Sequence, residues 1–404
     1  MQQQRLVIVG AGFAGMYAAL SAARLRDQQG VPPSRLEIAL IAPAPTLVVR
    51  PRLYEPNPET LTAPLRPVLD AIGVTYVQGS AETIDANARR IGYRTAGGAE
   101  AGLAYDRLVI ATGSRLFRPE IPGLSAFAFS VDSLDDAVTL DRHLQGLAQR
   151  PATPARNTVV VAGGGFTGIE VATEMPARLR ALFGGQAETR VIIVERGAAI
   201  AKDMGSAARP HIEEAMRTLR IETQLGVGVT AVDADGVTLS DGRRIDSATV
   251  IWAAGMRAAP LTAAIVAERD NFGRLIVDRD LRVPGVAGIF ATGDAAKAAC
   301  DDIGNDALMS CQHATRMGAF AGNNAAADLL GVPGQPYHQK AYVTCLDLGE
   351  AGALFTRGWE RQVELLGAEA KARKHEINTV WIYPPPADRQ AALAAADPQR
   401  VTDL

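Results

Sequence analysis

Two glycine-rich turns hold the most legible chemistry in this chain. Gly10-Ala11-Gly12-Phe13-Ala14-Gly15 follows the apolar run Leu6 to Val9, and Gly163-Gly164-Gly165-Phe166-Thr167-Gly168 follows Thr158 to Ala162. A helical stretch follows each, alanine-rich in the first. In a strand-turn-helix setting the first glycine permits the tight turn. The second lets a pyrophosphate approach the backbone, the third lets the helix pack on the strand, and the phosphates sit at the positive end of the helix. A single turn of this kind can be a glycine-rich loop and nothing more, but two in matching context point to two dinucleotides.

Each unit then offers a second apolar strand, Leu36 to Ala42 and Val191 to Glu195, and the interval from Gly12 to Ala42 equals that from Gly165 to Glu195. An acidic residue at this strand end accepts hydrogen bonds from adenosine ribose. Glu195 fills the position in the second unit, and its charge repels a 2′-phosphate, which favours NADH over NADPH. Neighbouring Arg196 keeps the choice open, and a solvated strand-end charge is the plainer alternative. Ala42 stands there in the first unit, so one ribose contact is missing or comes from elsewhere.

The elements that must position these turns are read from the rest of the chain. Each half closes on an apolar strand ending in glycine, Leu108 to Gly113 and Val250 to Gly255, and the turn-rich stretches Val74 to Arg94 and Ile221 to Arg244 suit antiparallel hairpins. Gly288 to Ala295 forms a further strand and turn; there Asp294 can offer a carboxylate to a polyol, or be an ordinary turn aspartate. A helix is expected from an N-cap at Ser310 to a stop at Gly331, with its first amides aimed at an electron-rich group. The simplest architecture is α/β, with two Rossmann-like dinucleotide-binding units, the second inserted in the first. Residues 1–120 and 271–331 would form the first unit, 121–270 the second, and 332–404 a small C-terminal element for dimerisation or a membrane surface.

Composition narrows the class. The chain has 404 residues, 48% hydrophobic and 21% charged, with a net charge of −3, so it offers no basic field for nucleic acid. The three cysteines, Cys300, Cys311 and Cys345, form no Cys-x-x-Cys pair, which argues against a disulfide framework, a zinc site and a dithiol centre. Met1 to Arg5 runs straight into the first strand, leaving no room for a signal peptide. A cytoplasmic protein is expected, with peripheral attachment at the inner face of the membrane left open.

The paired glycine turns, the strands ending in Ala-Thr-Gly or Ala-Ala-Gly, and Ala291-Thr292-Gly293-Asp294 together resemble the pyridine nucleotide-disulfide oxidoreductase superfamily. Within it the chain is most similar to type II NADH dehydrogenases and their soluble relatives. The resemblance covers about residues 5 to 330. It implies FAD in the first unit, held by Gly10, Gly12, Phe13, Ala14, Gly15, Ala81, Thr112, Gly113, Gly293 and Asp294, with Arg50 on a flavin-facing loop. It implies NADH in the second, at Gly163, Gly165, Phe166, Thr167, Gly168, Glu195 and Gly255. Glu170 matches a family glutamate near the meeting point of nicotinamide and flavin; the plainer alternative is a glutamate that complements the helix dipole.

Departures from the family bear on the acceptor. Ala42 to Leu61 contains no cysteine, so disulfide-reductase chemistry is not expected. The quinone-side pattern Ala-Gln-x-Ala-x-Gln becomes Cys311-Gln312-His313-Ala314-Thr315-Arg316: Gln312 and Ala314 match, and Arg316 replaces the second glutamine. Cys311 is read as a small packed residue rather than a reactive thiol, and His313 is given no catalytic role. Either Arg50 or Arg52 could offset ring charge or hold an anionic acceptor, and surface placement is as reasonable. Lys371, Arg373 and Lys374 before Ile377 to Tyr383 could meet anionic lipid, but a dimer partner together with the protein's own core is favoured. The expected activity is NADH:acceptor oxidoreduction through FAD to a quinone or another small molecule, in a homodimer. The rivals are a flavoenzyme with an organic substrate and a slow-turnover redox-sensing protein.

Overall fold

A computed structural model describes residues 3–400. Met1 and Gln2 of the N-terminal run, and residues 401–404 of the C-terminal element, lie outside the described residues. Gln4–Val9 and Leu36–Ala42 pair in parallel, Leu6 opposite Ile38 and Val9 opposite Ile41. Arg107–Ile110 pairs in parallel on the other side of Gln4–Val9, and Ile289–Ala291 adds beyond it. Leu6 to Val9 are all buried, as continuous apolar runs must be where a parallel sheet is covered on both faces. Thr75–Asp85 starts parallel to Leu36–Ala42 and then leaves to pair antiparallel with Arg90–Thr95, which pairs in turn with Glu100–Ala104.

The chain leaves this seven-stranded sheet after Ile110, builds a second one, and returns at Ile289. The second sheet has the order Ala128–Phe129, Thr249–Trp252, Thr158–Ala162, Arg190–Glu195, Ile221–Leu225, parallel throughout. Here the hairpin expectation needs correction. Ile221–Leu225 belongs to the parallel sheet beside Arg190–Glu195, and the antiparallel pairing is confined to Val229–Asp233, Gly236–Leu239 and Arg244–Asp246. Isolated turn signals do not separate a hairpin arm from an edge strand whose partner lies far back in the sequence.

Parallel strands deliver their C-terminal ends to one edge, and this places Gly10, Thr112 and Asp294 together at the crevice of the first sheet. The helix Phe13–Gln28 packs on Cys311–Leu330, which begins at the Ser310 cap and ends at Gly331, as expected. That crossing is close because of Gly318 and Gly322, where added Cβ atoms would lie 2.3 Å from the Ala14 carbonyl oxygen and 2.0 Å from that of Ala18.

The C-terminal part forms an antiparallel sheet of Val343–Asp347, Ala353–Arg357 and Gln362–Leu366, then the helix Gly367–Glu376, a wide turn Ile377–Trp381 and a short helix Arg389–Ala395. Leu346 and Leu354 pack into the same core as Ile169 and Val171 of the helix Phe166–Phe183. The element therefore finds its apolar partner within its own chain. Among the described residues no helix is long and apolar enough to cross a membrane.

Candidate functional site

The two glycine turns face one cavity of about 1980 Å³. Their glycines divide into two kinds. A Cβ added at Gly10, Gly15 or Gly168 would come within 2.3 Å of a backbone oxygen, so these positions bring turn, strand and helix into contact. A Cβ at Gly12 or Gly165 would meet nothing within 4 Å. Both residues are extended caps, of the helices Phe13–Gln28 and Phe166–Phe183, with no side-chain cap and no acidic residue in the first turn. Their free amides and open space suit a phosphate at each. Gly163 sits at φ +121, beside the backbone of Ala253.

Gly10, Gly12, Phe13, Ala14, Thr112, Gly113, Asp294 and Arg50 line this cavity, and so do Gly165, Phe166, Thr167, Glu170, Gln312 and Arg316. The hydroxyl of Thr112 is buried without a hydrogen-bond partner, a donor and acceptor left for a bound group. Gly15, Gly168 and Gly293 stand behind the lining; a Cβ on Gly293 would lie 2.8 Å from that of Ala14. Gly255, at φ +81, packs near Phe117. Ala81 lies on the strand Thr75–Asp85 opposite Tyr93, outside the lining. Ala42 does line the cavity, and its carbonyl accepts the Tyr76 hydroxyl at 2.6 Å.

The Glu195 carboxylate is fixed by its own loop. The Gly164 and Gly197 amides donate to its two oxygens, each at 2.7 Å, and lone pairs remain for a further donor. At the first unit, the Ser114 hydroxyl donates to Asp294 at 2.6 Å, and Arg50 lies 3.7 Å from the same carboxylate. Arg50 also donates to the Asp132 carboxylate and, at 3.0 Å, to the Asp132 carbonyl. Burial raises the Asp294 carboxyl above its ordinary value although Ser114 and Arg50 oppose the shift. With its guanidinium so engaged, Arg50 is an internal clamp and not a free cation for an anionic acceptor. Arg52 is likewise taken, bidentate to Glu55 at 2.7 and 2.9 Å.

Glu170, which lines the cavity, is held by the C-terminal element. Its carboxylate is buried and accepts from the Lys374 ammonium at 2.7 Å and from the Asp347 amide at 3.1 Å. Lys374 donates also to the Cys345 carbonyl at 2.9 Å. Burial pushes Glu170 up to about 7 in spite of Lys374, and the same cause pushes Glu174, one turn along, to about 7. Asp347 is met by the Tyr54 hydroxyl at 3.2 Å and by Lys371. The lipid-facing alternative is thus corrected for Lys374, which is buried and paired. Its sequence signal was spacing, because Ala370, Lys374 and Ile377 share the inward face of the helix while Arg373 does not.

Gln312 accepts weakly from the Val343 amide at 3.4 Å. Arg316 donates from Nε to the His338 carbonyl and from Nη1 to the Arg400 carbonyl, both at 3.0 Å. Cys311 is pushed up to about 11 by burial, consistent with a packed thiol. His313 is buried, bonded through Nδ1 to the Ser310 hydroxyl at 2.9 Å, and lowered to about 3 by burial, so it is neutral. Ser114, Asp132 and Asp347 escape sequence reasoning, and Tyr54 and Lys374 are not assigned to the site by it, because their partners come from distant segments.

Two glycine-turn sheets, the second inserted in the first and both opening on one cavity, define a two-unit dinucleotide-binding oxidoreductase. The model of the pyridine nucleotide-disulphide oxidoreductase family matches residues 4–318, and the chain belongs to that family. It is 47% identical over 98% of both chains to an NADH dehydrogenase-like protein of Mycobacterium tuberculosis. It is 29% identical to the demethylphylloquinone reductase of Synechocystis, over 87% of this chain and 86% of that one. The fold is shared with NDH2 of Plasmodium falciparum, solved in complex with NADH, at a TM-score of 0.80 and 16% identity over 98% of this chain and 97% of that one.

Proposed function

We propose that the chain is an FAD-dependent NADH:acceptor oxidoreductase whose acceptor is a quinone or a similar small molecule. The observation that carries it is the pair of open turns, Gly12 and Gly165, facing one cavity. Relatives named for NADH and for demethylphylloquinone support the donor and the acceptor class. Bound FAD would supply the two-electron chemistry, taking hydride from NADH and passing electrons on.

The residues of the first unit, Gly10 to Gly15, Thr112, Gly113 and Gly293, would hold FAD, with Asp294 kept in place for a polyol by Ser114 and Arg50. Ala81 would contribute through its strand. The second unit would take NADH at Gly163, Gly165, Phe166, Thr167, Gly168 and Gly255. Glu170 and its partner Lys374 would hold a proton where the two nucleotides meet, and Gln312 would lie on the acceptor side. The division at residues 120, 270 and 331 and a homodimer belong to the same proposal, with attachment at a membrane surface the less favoured alternative. Anaerobic titration of the purified protein with NADH, then reoxidation by a quinone panel, tests both half-reactions. Absence of bleaching by NADH overturns the donor, and absence of reoxidation by any quinone overturns the acceptor.

Glu195→Ala is expected to narrow the preference for NADH over NADPH by about tenfold or more, since one charge-assisted bond and one repulsion vanish together. Because Glu195 also ties the Gly164 amide, both nucleotides bind less tightly, so the ratio of their flavin-reduction rates is the quantity to follow. An unchanged ratio sinks the selectivity role.

A further inference from the structure

The chain's own C-terminal segment supplies part of the cavity wall. Pro384, Ala391, Ala395 and Pro398 line it, as does Tyr17 of the helix Phe13–Gln28, against which Arg389–Ala395 packs. The segment sets Ala392 and Ala396 into the core, with Leu393 packed against it, and is fastened further by arginines. Arg389 grips both oxygens of Asp27, each at 2.7 Å, and donates to the Ala71 carbonyl at 2.8 Å. Arg24 pairs with Asp397 at 2.5 Å. Partly exposed ion pairs of this kind are individually modest.

A further fastening comes from inside the cavity. Arg316 lines the cavity and spends its guanidinium on the carbonyls of His338 and Arg400, so that one side chain ties the helix Cys311–Leu330 to two other segments. A glutamine, shorter and with a single amide head, cannot span both carbonyls. We infer that Arg316 is a positioning residue, which holds residues 384–400 as a wall of the cavity and through that wall favours acceptors with an apolar tail. The inference rests on the acceptor assignment above. The tail would lie against the proline and alanine side chains that the segment presents, while a tail-less acceptor would not use them.

The test compares wild type, Arg316→Gln, and the double variant Arg24→Ala/Arg389→Ala, which loosens the same segment from outside the cavity. Amide hydrogen exchange in residues 388–400 is expected to quicken in both variants. The KM for a prenylated quinone is expected to rise about tenfold, the effect of losing roughly two buried methylene contacts. The KM for a tail-less quinone, and kcat with it, should stay near wild type. If Arg316→Gln raises KM while the double variant does not, Arg316 meets the acceptor directly and the inference is overturned. Equal rises for both quinones overturn it as well. A wild type that ignores quinones sinks the acceptor assignment instead; the exchange measurement needs no turnover, and unchanged exchange in both variants refutes the clasp.

Discussion

Gly12→Val is expected to give a folded, colourless protein. Gly12 has φ −76 and ψ −171, extended backbone that valine adopts without strain, and a Cβ there meets no protein atom within 4 Å. The cost to the apoprotein is that of a poorer helix cap, about 1 kcal/mol. The same side chain fills the space in front of the first free amides of Phe13–Gln28, where a pyrophosphate would be held, so FAD affinity should fall by about a thousandfold or more. Gly15→Ala makes the contrast, because its Cβ would lie 1.8 Å from the Gly10 carbonyl oxygen and the turn itself would fail. Gly165→Val should behave like Gly12→Val but in the other unit: a yellow protein, reducible by dithionite and no longer by NADH. The ratio of absorbance at 450 nm to that at 280 nm, with circular dichroism as the check on folding, decides the matter. A folded Gly12→Val protein carrying stoichiometric FAD removes the first turn from the cofactor site.

The contrast between Gly12 and Gly15 also shows why so much of the fold was legible in the sequence. Turn glycines, apolar strands and the Ser310 cap are local signals, set by steric contacts within a few residues, and Leu36–Ala42 and Cys311–Leu330 fall where such signals place them. Ile221–Leu225 was misread because an edge strand's pairing is decided by Arg190–Glu195, some thirty positions earlier. At the site the divide is the same. Glu170 stood out through its place after the glycine turn, but its partner Lys374 lies 204 residues away and reaches it only through the docking of the C-terminal sheet. In sequence Lys374 is one of three basic residues with nothing but helical spacing to set it apart. Arg316 announces itself as a departure from a motif, yet its two shortest hydrogen bonds go to backbone carbonyls, which no side-chain pattern encodes.

Reduction by NADH is expected to show a pH step near 7 that belongs to Glu170. Burial raises this carboxyl from 4.5 to about 7, winning over the Lys374 ammonium and the Asp347 amide, both of which favour the charged form. Below the step Glu170 is a neutral acid; above it, a carboxylate paired with Lys374. For stability, the unfolded chain has lost this proton by about pH 5 while the folded chain keeps it to about 7, so Glu170 makes the fold less stable as pH rises through that window and has no further effect above it. Around it stand Lys374, Asp347, Tyr54, Cys345 and Glu174, and Glu174 is raised to about 7 as well, so a step alone does not identify its owner. Glu170→Gln should abolish the step with FAD still bound, while Glu174→Gln should leave it in place. Lys374→Met gives the direction: with the cation and its hydrogen bond removed, desolvation acts unopposed by them, and the step should move upward by about one unit or more. Stopped-flow bleaching by NADH across the neutral range measures all three variants, and an infrared titration of the carboxyl stretch gives the same answer without turnover. A step that survives Glu170→Gln, or that moves downward in Lys374→Met, would show that the proton is held elsewhere in the network.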